Sequence, residues 1–154
     1  MITLPHGLAL TLADALAPAM ARWSERRERE ILTRGIPLED SLLDFAARLG
    51  IPDPGRVRIE VRSDIPLPLP GGVVGFLQRI GIPLFRPAGM ALGNGISAIH
   101  TDPQLLRHEL VHVRQYARLG GHFRFMRQYI YECLRYGYAC APLETEARER
   151  AVTR

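Results

Sequence analysis

Residues 101–121 read TDPQLLRHELVHVRQYARLGG, and this stretch decides how the whole chain is interpreted. Asp102 is one of the residue types that cap a helix N-terminus, and Pro103 suits the first turn, where no backbone N–H is needed. The pair Gly120-Gly121 permits the left-handed conformation in which helices commonly end. The stretch therefore predicts a helix over Pro103–Leu119.

Three faces are predicted on this helix, because each successive residue turns by about 100°. His108 and His112 lie one turn apart on one face, and Glu109 lies at its edge. The apolar face consists of Leu106, Leu110, Val113 and Ala117, and the basic face consists of Arg107, Arg114 and Arg118. This sorting indicates that one face packs on the core, one faces solvent and the third carries a candidate functional site.

The third face matches the requirements of a catalytic zinc site. Zinc binds neutral imidazole nitrogens and carboxylate oxygens in a tetrahedral set, with one position left for water. Glu109 lies where it can take a proton from water and pass it to a leaving amine. The pattern predicts Zn²⁺-dependent hydrolysis of a peptide or protein substrate, with His108 and His112 as ligands. A chance match on an exposed helix is the alternative, and the strand, cap and glycine stop around the motif argue against it.

A third ligand must come from farther along the chain. The spacing HExxHxxGxxH is not met, because Gly120 and His122 are out of register with His112, and this excludes a metzincin. A carboxylate on a later helix is needed instead. The candidates in residues 142–150 are Glu144, Glu146 and Glu149. Spacing alone leaves the choice open, because residues two apart on a helix point in different directions.

Two segments resemble the minigluzincin-like domains of bacterial proteins, a family of unknown function. They are residues 91–96, ALGNGI, and residues 105–116, LLRHELVHVRQY, which match a Gly-Asn-containing strand followed by an LLxHELxHVxQ helix. The resemblance covers about residues 91–150 and, loosely, the strand at 57–61. It implies a zincin-like fold in which substrate lies extended along an edge strand, here residues 95–100.

The resemblance also implies a third ligand in a Glu-x-x-Ala context. Residues 144–147, ETEA, match it, so the family pattern implies Glu144 as the third zinc ligand, with Glu146 in reserve. Some gluzincins carry an aspartate after this alanine that orients a ligand, but Arg148 stands there. The contacts that orient the ligands must therefore come from another part of the chain. Arg114 also places a charge where many zincins have an apolar residue, on a side of the helix expected to face solvent.

The remaining segments predict an α+β fold: a small sheet with N-terminal helices, the helix carrying the motif and C-terminal helices. Residues 10–34 and 38–49 predict two helices that precede any strand. Residues 57–61 alternate apolar and charged side chains, as a half-buried strand does. Short strands and tight turns, one run being Val73 to Leu77, fit the Pro- and Gly-rich residues 65–95, and residues 96–100 predict a last strand.

After the motif, residues 123–136 predict another helix, and a final short helix begins near Leu143. The predicted inner stripe of the first of these consists of Phe123, Met126, Ile130, Cys133 and Leu134. With 154 residues, nearly half of them apolar, the chain can bury one core. We therefore predict one domain, residues 1–154, with a helical N-terminal region over about 10–49.

Charge and hydropathy limit the classes of function. The 20 basic residues are all arginine, and they are interleaved with the 16 carboxylates, so no nucleic-acid partner is expected despite the net charge of +4. The charged residues 22–30 predict a solvated helix face. No apolar run reaches the length of a membrane span and no basic leader is evident, which predicts a cytoplasmic protein. Nothing in the sequence specifies an oligomeric state.

Other polar residues are weaker candidates for a site. Cys133 and Cys140 predict buried free thiols, with a bridge between them as the lesser alternative. Tyr116 shares the face of the motif, where packing is favoured over substrate contact. His100 and His122 predict surface or capping roles.

Two other functions stay open. One is a metal-stabilised, non-catalytic or latent peptidase-like binding module, whose long N-terminal helices dock a partner or cover the site. The other is a nucleic-acid-associated protease, which rests on the arginines alone.

Overall fold

The computed structural model describes residues 3–67 and 87–152, which form five α-helices and a four-stranded sheet. The helices are α1 (His6–Arg34), α2 (Asp40–Leu49), α3 (Pro103–Leu119), α4 (His122–Tyr136) and α5 (Pro142–Ala151). The strands are β1 (Ile36–Pro37), β2 (Arg58–Val61), β3 (Gly89–Leu92) and β4 (Gly95–Ala98). The predicted α+β class is confirmed, and the predicted run at 73–77 lies outside the described residues.

The sheet has the strand order β1-β2-β4-β3, with β2 and β4 parallel and the other pairs antiparallel. A Cβ on Gly95 of β4 would meet Ile31 of α1. A Cβ on Gly89 of β3 would instead meet Glu109 of α3. Gly89 pairs with Ala98 of β4, so these two residues point to the same face of the sheet. Gly95 and Ala98 are three residues apart on β4 and therefore point to opposite faces. Helices α1 and α3 therefore cover opposite faces of the sheet.

The expectation that residues 95–100 form an edge of the sheet is wrong. Strands β3 and β4 form a hairpin in which Leu92 pairs with Gly95. Its turn is Gly93-Asn94, in which Gly93 has a φ of +64°. Glycine adopts this left-handed conformation with little strain because it has no Cβ. This turn folds β3 back along β4. As a result β4 is paired on both sides and fully buried, and among the described residues β3 is the edge strand, beside α3.

A short strand separates the first two helices, although the sequence predicted none before residue 57. Ile36 of β1 pairs with Ile59 of β2. Gly35 lies between α1 and β1, where a Cβ would be only 2.7 Å from the carbonyl oxygen of Ile31. Two residues are too few for a period-two pattern, so hydropathy carried no signal for β1.

The charged second half of α1, residues 22–30, is only partly the solvated face that its composition predicted. Its exposed charged residues are Arg22, Glu25, Arg26 and Arg29, but Arg27 and Glu28 turn inward. Arg27 donates to Glu60 of β2 at 2.8 Å. Glu28 accepts the backbone N–H of Asn94, in the β3-β4 turn, at 2.7 Å. These side chains face inward because α1 continues across the sheet and along α4.

The buried apolar residues form one core to which the sheet and all five helices contribute. Its members include Leu42, Phe45, Val57, Ile59, Ile96, Leu106, Leu110 and Val113. The predicted core face of α3 is therefore largely confirmed. Ala117, which the pattern placed on the same face, is exposed in the last turn of the helix.

Helix α4 buries Met126 and Ile130, as the predicted stripe requires, but the rest of its buried set differs. The buried residues are Phe125, Met126, Ile130 and Glu132. Phe123, predicted to lie inside, is instead 47% exposed. Because α4 contacts α1, α3 and α5, more than one of its faces is covered, and a single helical stripe does not describe its burial.

The two cysteines are free thiols, as predicted. Cys133 is half-buried, and its burial raises the pKa of the thiol to about 12. Cys140 is exposed in the 3-10 turn Tyr138–Cys140, so its predicted burial is wrong. Within residues 3–67 and 87–152, no helix is both long enough and apolar enough to cross a bilayer.

Candidate metal centre

Helix α3 presents the motif residues and has the predicted bounds. The Asp102 carboxylate caps its first turn by accepting the backbone N–H of Leu105 at 2.9 Å. Gly120 ends the helix with a φ of +88°. Both ends are therefore fixed by local interactions, and the helix lies with its apolar face on the sheet.

Three of the predicted side chains meet at one point between α3 and α5. The Nε2 atoms of His108 and His112 are 3.1 Å apart. Glu144 on α5 places Oε2 3.4 Å from His108 Nε2 and Oε1 3.3 Å from His112 Nε2. Glu144 and His112 are buried, and His108 is 19% exposed. The cluster is thus closed on most sides and reaches solvent through His108.

These separations and donor types fit a zinc ion. Ligands about 2.0–2.1 Å from a tetrahedral zinc lie about 3.3 Å from one another, close to the three distances of the cluster. Glu144 Oε2 is buried and makes no hydrogen bond of normal geometry within the described residues, and its neighbours His108 Nε2 and Arg148 Nη1 lie 3.4 Å and 3.8 Å away. A buried carboxylate oxygen that lacks a well-formed hydrogen bond is unfavourable, and a bound cation would remove that penalty.

Glu146, the reserve ligand, does not join this cluster. Its carboxylate lies 3.0 Å from Arg114, 2.8 Å from Arg118 and 3.1 Å from Arg150. Glu144 and Glu146 project from different sides of α5, so only Glu144 faces the histidines. Glu149 lies on the exposed side of the same helix.

Charges within the cluster reinforce one another. Burial alone would raise the pKa of Glu144, but His108, His112 and the Tyr129 hydroxyl outweigh it and hold that pKa well below its usual range. Burial alone would lower the pKa of His112, but Glu144 and Glu109 outweigh it and raise that pKa. The carboxylate is therefore ionised at neutral pH, and a metal ion would compete with a proton for His112.

Glu109 lies between α3 and the edge strand. Its side chain is 4% exposed, and it accepts a hydrogen bond from the backbone N–H of Ala91. Gly89 leaves room for it, because a Cβ there would be 2.6 Å from Glu109 Oε1. Burial raises the pKa of Glu109, although His112 and His108 oppose the shift. A raised pKa brings a carboxylate nearer to the range in which it exchanges protons at neutral pH.

Contacts that hold the cluster come from residues that the sequence did not single out. Tyr129 of α4 donates its hydroxyl to Glu144 Oε1 at 2.8 Å. Glu132 accepts the backbone N–H of Leu143 at 2.7 Å and so anchors the start of α5. Gln115 of α3 lies 2.7 Å from His112 Nδ1. Only Gln115 had a signal, since it follows His112 by three residues on the same helix.

The other candidates lie elsewhere. Tyr116 is a packing residue, as predicted: it is buried and stacks on Phe125 with ring centroids 3.7 Å apart. His100 is exposed. His122, predicted as a surface or capping residue, instead lies in a polar network, where its Nδ1 is 2.8 Å from Ser24 Oγ and its Nε2 is 2.9 Å from Glu28. None of these three residues reaches the cluster of His108, His112 and Glu144.

Four elements build the centre. Helix α3 supplies two imidazoles and Glu109, α5 supplies Glu144, α4 holds Glu144 through Tyr129, and β3 lies against Glu109. The arrangement offers two nitrogens and one carboxylate to a divalent cation, with a second carboxylate beside them. Comparison with protein-family models, with curated proteins and with solved structures found no match to this chain.

Proposed function

We propose that this chain is a zinc-dependent peptidase in which His108, His112 and Glu144 bind Zn²⁺ and Glu109 acts as general base and acid. The observation that carries the proposal is the spacing of the three ligand side chains, in which Glu144 Oε2 is buried without a hydrogen bond of normal geometry. The resemblance of residues 91–150 to minigluzincin-like domains supports the same ligands.

Each residue has a defined task in this reaction. His108, His112 and Glu144 would hold the zinc, which would supply Lewis-acid chemistry that favours attack of water on the scissile carbonyl at neutral pH. Glu109 takes a proton from the attacking water and returns it to the leaving amine. The Ala91 amide and the space beside Gly89 hold the Glu109 carboxylate in one orientation.

The edge strand is the proposed binding site for the substrate backbone. Strand β3 has β4 on one side and, within the described residues, no strand on the other. An extended peptide can add to such an edge through backbone hydrogen bonds. Since β3 lies against Glu109, a peptide bound along it would pass the general base. This assignment replaces residues 95–100, which lie mostly in the paired strand β4.

The test separates metal binding from chemistry. The purified chain should bind about one zinc and cleave members of a broad peptide library. Glu109→Gln should keep the zinc, because Glu109 is not one of the ligands, and lose about 10²-fold to 10⁴-fold in rate, the usual contribution of a general base. Glu25→Gln, on the exposed side of α1, is the matched control and should match the wild type. A Glu109→Gln protein with undiminished activity would refute the mechanism.

One observation favours the second candidate, a metal-stabilised or latent binding module. Glu109 is 4% and Glu144 2% exposed, so little of the centre is open to a substrate. A metal in such a site would join α3 to α5 without reaching a peptide bond. Thermal stability that falls on chelation, with no cleavage of any library member, would favour this function over catalysis.

A further inference from the structure

Gln115 is a fully buried polar side chain on α3, and every part of its amide has a partner. Its Oε1 lies 2.7 Å from His112 Nδ1. Its Nε2 lies 3.0 Å from the carbonyl oxygen of Leu143 and 2.9 Å from Glu146 Oε2. This one side chain therefore touches a proposed metal ligand on α3 and two residues of α5.

The chemistry of these partners fixes the direction of the amide. A backbone carbonyl and a carboxylate only accept hydrogen bonds, so the group facing Leu143 and Glu146 must be the NH₂ of Gln115. The amide oxygen then faces His112 Nδ1, which must donate. In a neutral imidazole with its proton on Nδ1, the lone pair is on Nε2.

That lone pair lies where a metal ligand is needed. His112 Nε2 is 3.1 Å from His108 Nε2 and 3.3 Å from Glu144 Oε1. The same Gln115 amide holds the carbonyl of Leu143, the residue before Glu144. A single side chain thus sets the tautomer of His112 and, together with Glu132, helps to hold the start of α5.

We infer that Gln115 is a positioning residue, which holds His112 in the tautomer that binds a metal and fixes Glu144 opposite it. The inference rests on the proposed zinc centre, because it assigns Gln115 a task in preparing that centre. Gln115 also supplies an acceptor for a histidine ligand, which Arg148 cannot do because a guanidinium only donates. Arg148 donates to the carbonyl of Ala139 at 2.6 Å and lies 3.8 Å from Glu144 Oε2.

Two measurements test this inference. In the metal-free wild type in alkaline buffer, where imidazole is neutral, ¹⁵N NMR of the histidine rings should show His112 with its proton on Nδ1. In Gln115→Leu that preference should be lost, and zinc affinity, measured against a competing chelator, should fall about 10-fold to 100-fold, as for other residues that orient metal ligands. Gln104→Leu, on the exposed first turn of α3, should change neither result.

The possible results distinguish failure of this inference from failure of the proposed function. A wild-type spectrum with the proton on Nε2 would overturn the inference, and it needs no variant to fold. Unchanged zinc affinity in Gln115→Leu would overturn it as well. If the wild type bound no zinc, the proposed function would fail, while the NMR spectrum would still decide whether Gln115 sets the tautomer of His112.

Discussion

Replacing Tyr129 by phenylalanine removes one hydroxyl from the wall of the proposed metal centre. That hydroxyl donates to Glu144 Oε1 at 2.8 Å. The Tyr129 ring stacks on Phe125 with centroids 5.6 Å apart, and phenylalanine can keep this contact. The substitution therefore tests the hydrogen bond with little change in packing.

The size of the effect follows from the burial of the pair. A hydrogen bond to a charged group contributes about 1.5–3 kcal/mol. Glu144 is 2% exposed, so bulk water cannot replace the lost donor. The free energy of unfolding of the metal-free Tyr129→Phe protein should fall by about this amount, and Tm should fall by roughly 3–12 °C. Zinc affinity should fall about 10-fold to 100-fold, because a carboxylate ligand loses the contact that orients it.

The assays are urea denaturation in the presence of a chelator and zinc titration against a competing chelator. Tyr131→Phe is the matched control on the same helix, because its hydroxyl lies 2.9 Å from His6 Nδ1 at an exposed position. It should change both quantities little. If Tyr129→Phe equalled the wild type in stability and in zinc affinity, the hydroxyl would not hold Glu144 and this account of the centre would be refuted.

Two further predictions concern residues around the centre. Gly89→Ala should abolish hydrolysis and leave zinc bound, because the new methyl group would displace Glu109. Gly55→Ala is the control for both activity and zinc content, because a Cβ there would meet only Asp53 Oδ1, at 3.6 Å. Burial alone would raise the pKa of Glu28, but His122 and Asn94 outweigh it and lower that pKa below its ordinary value of 4.5. Ionised Glu28 therefore stabilises the fold above pH 4.5, and this stabilisation is lost as the pH falls through the lower pKa of the folded state. Glu28→Gln should therefore be less stable than the wild type at pH 7, and denaturation curves at pH 3 should show a smaller difference.

The parts of the fold that local chemistry specifies were predictable. Helix α3 has the predicted bounds because Asp102 and Gly120 fix its ends within the segment itself. His108 and His112 could be paired from sequence, since their spacing alone places them on one face. Bringing Glu144 to them depended on the resemblance, because no local pattern relates α3 to α5.

The order of the strands was harder to predict from the sequence, although one turn motif indicated part of it. Gly93-Asn94 between two apolar segments is a known two-residue hairpin turn, and it determines that β3 folds back on β4. In a stretch with many prolines and glycines, this turn was not distinguished from its neighbours. The predicted edge was therefore placed one strand too far into the sheet, which moved the proposed substrate site from β3 to β4.

The inward side chains of α1 were missed for another reason. Arg27 and Glu28 belong to a charged run, and charged runs usually face solvent. Here they meet Glu60 on β2 and His122 on α4, residues that are distant in sequence. Hydropathy cannot predict burial of a charge whose partner is supplied by another element.

The two glutamates of α5 show how packing turns an ambiguous pattern into a specific arrangement. The basic face of α3 was predictable, and Glu146 lies against it, paired with Arg114 and Arg118. With Arg150 as well, three guanidinium groups lie within 3.1 Å of the Glu146 carboxylate and neutralise it. Glu144 Oε2 makes no hydrogen bond of normal geometry in the described part of the chain, and its ion pair with Arg148 is longer, at 3.8 Å. Since Gln115 holds Glu146 as well as His112, the same helix contact that removes Glu146 from the cluster brings Glu144 to the histidines. The arginine face of α3 thus helps to decide which carboxylate is left for a metal.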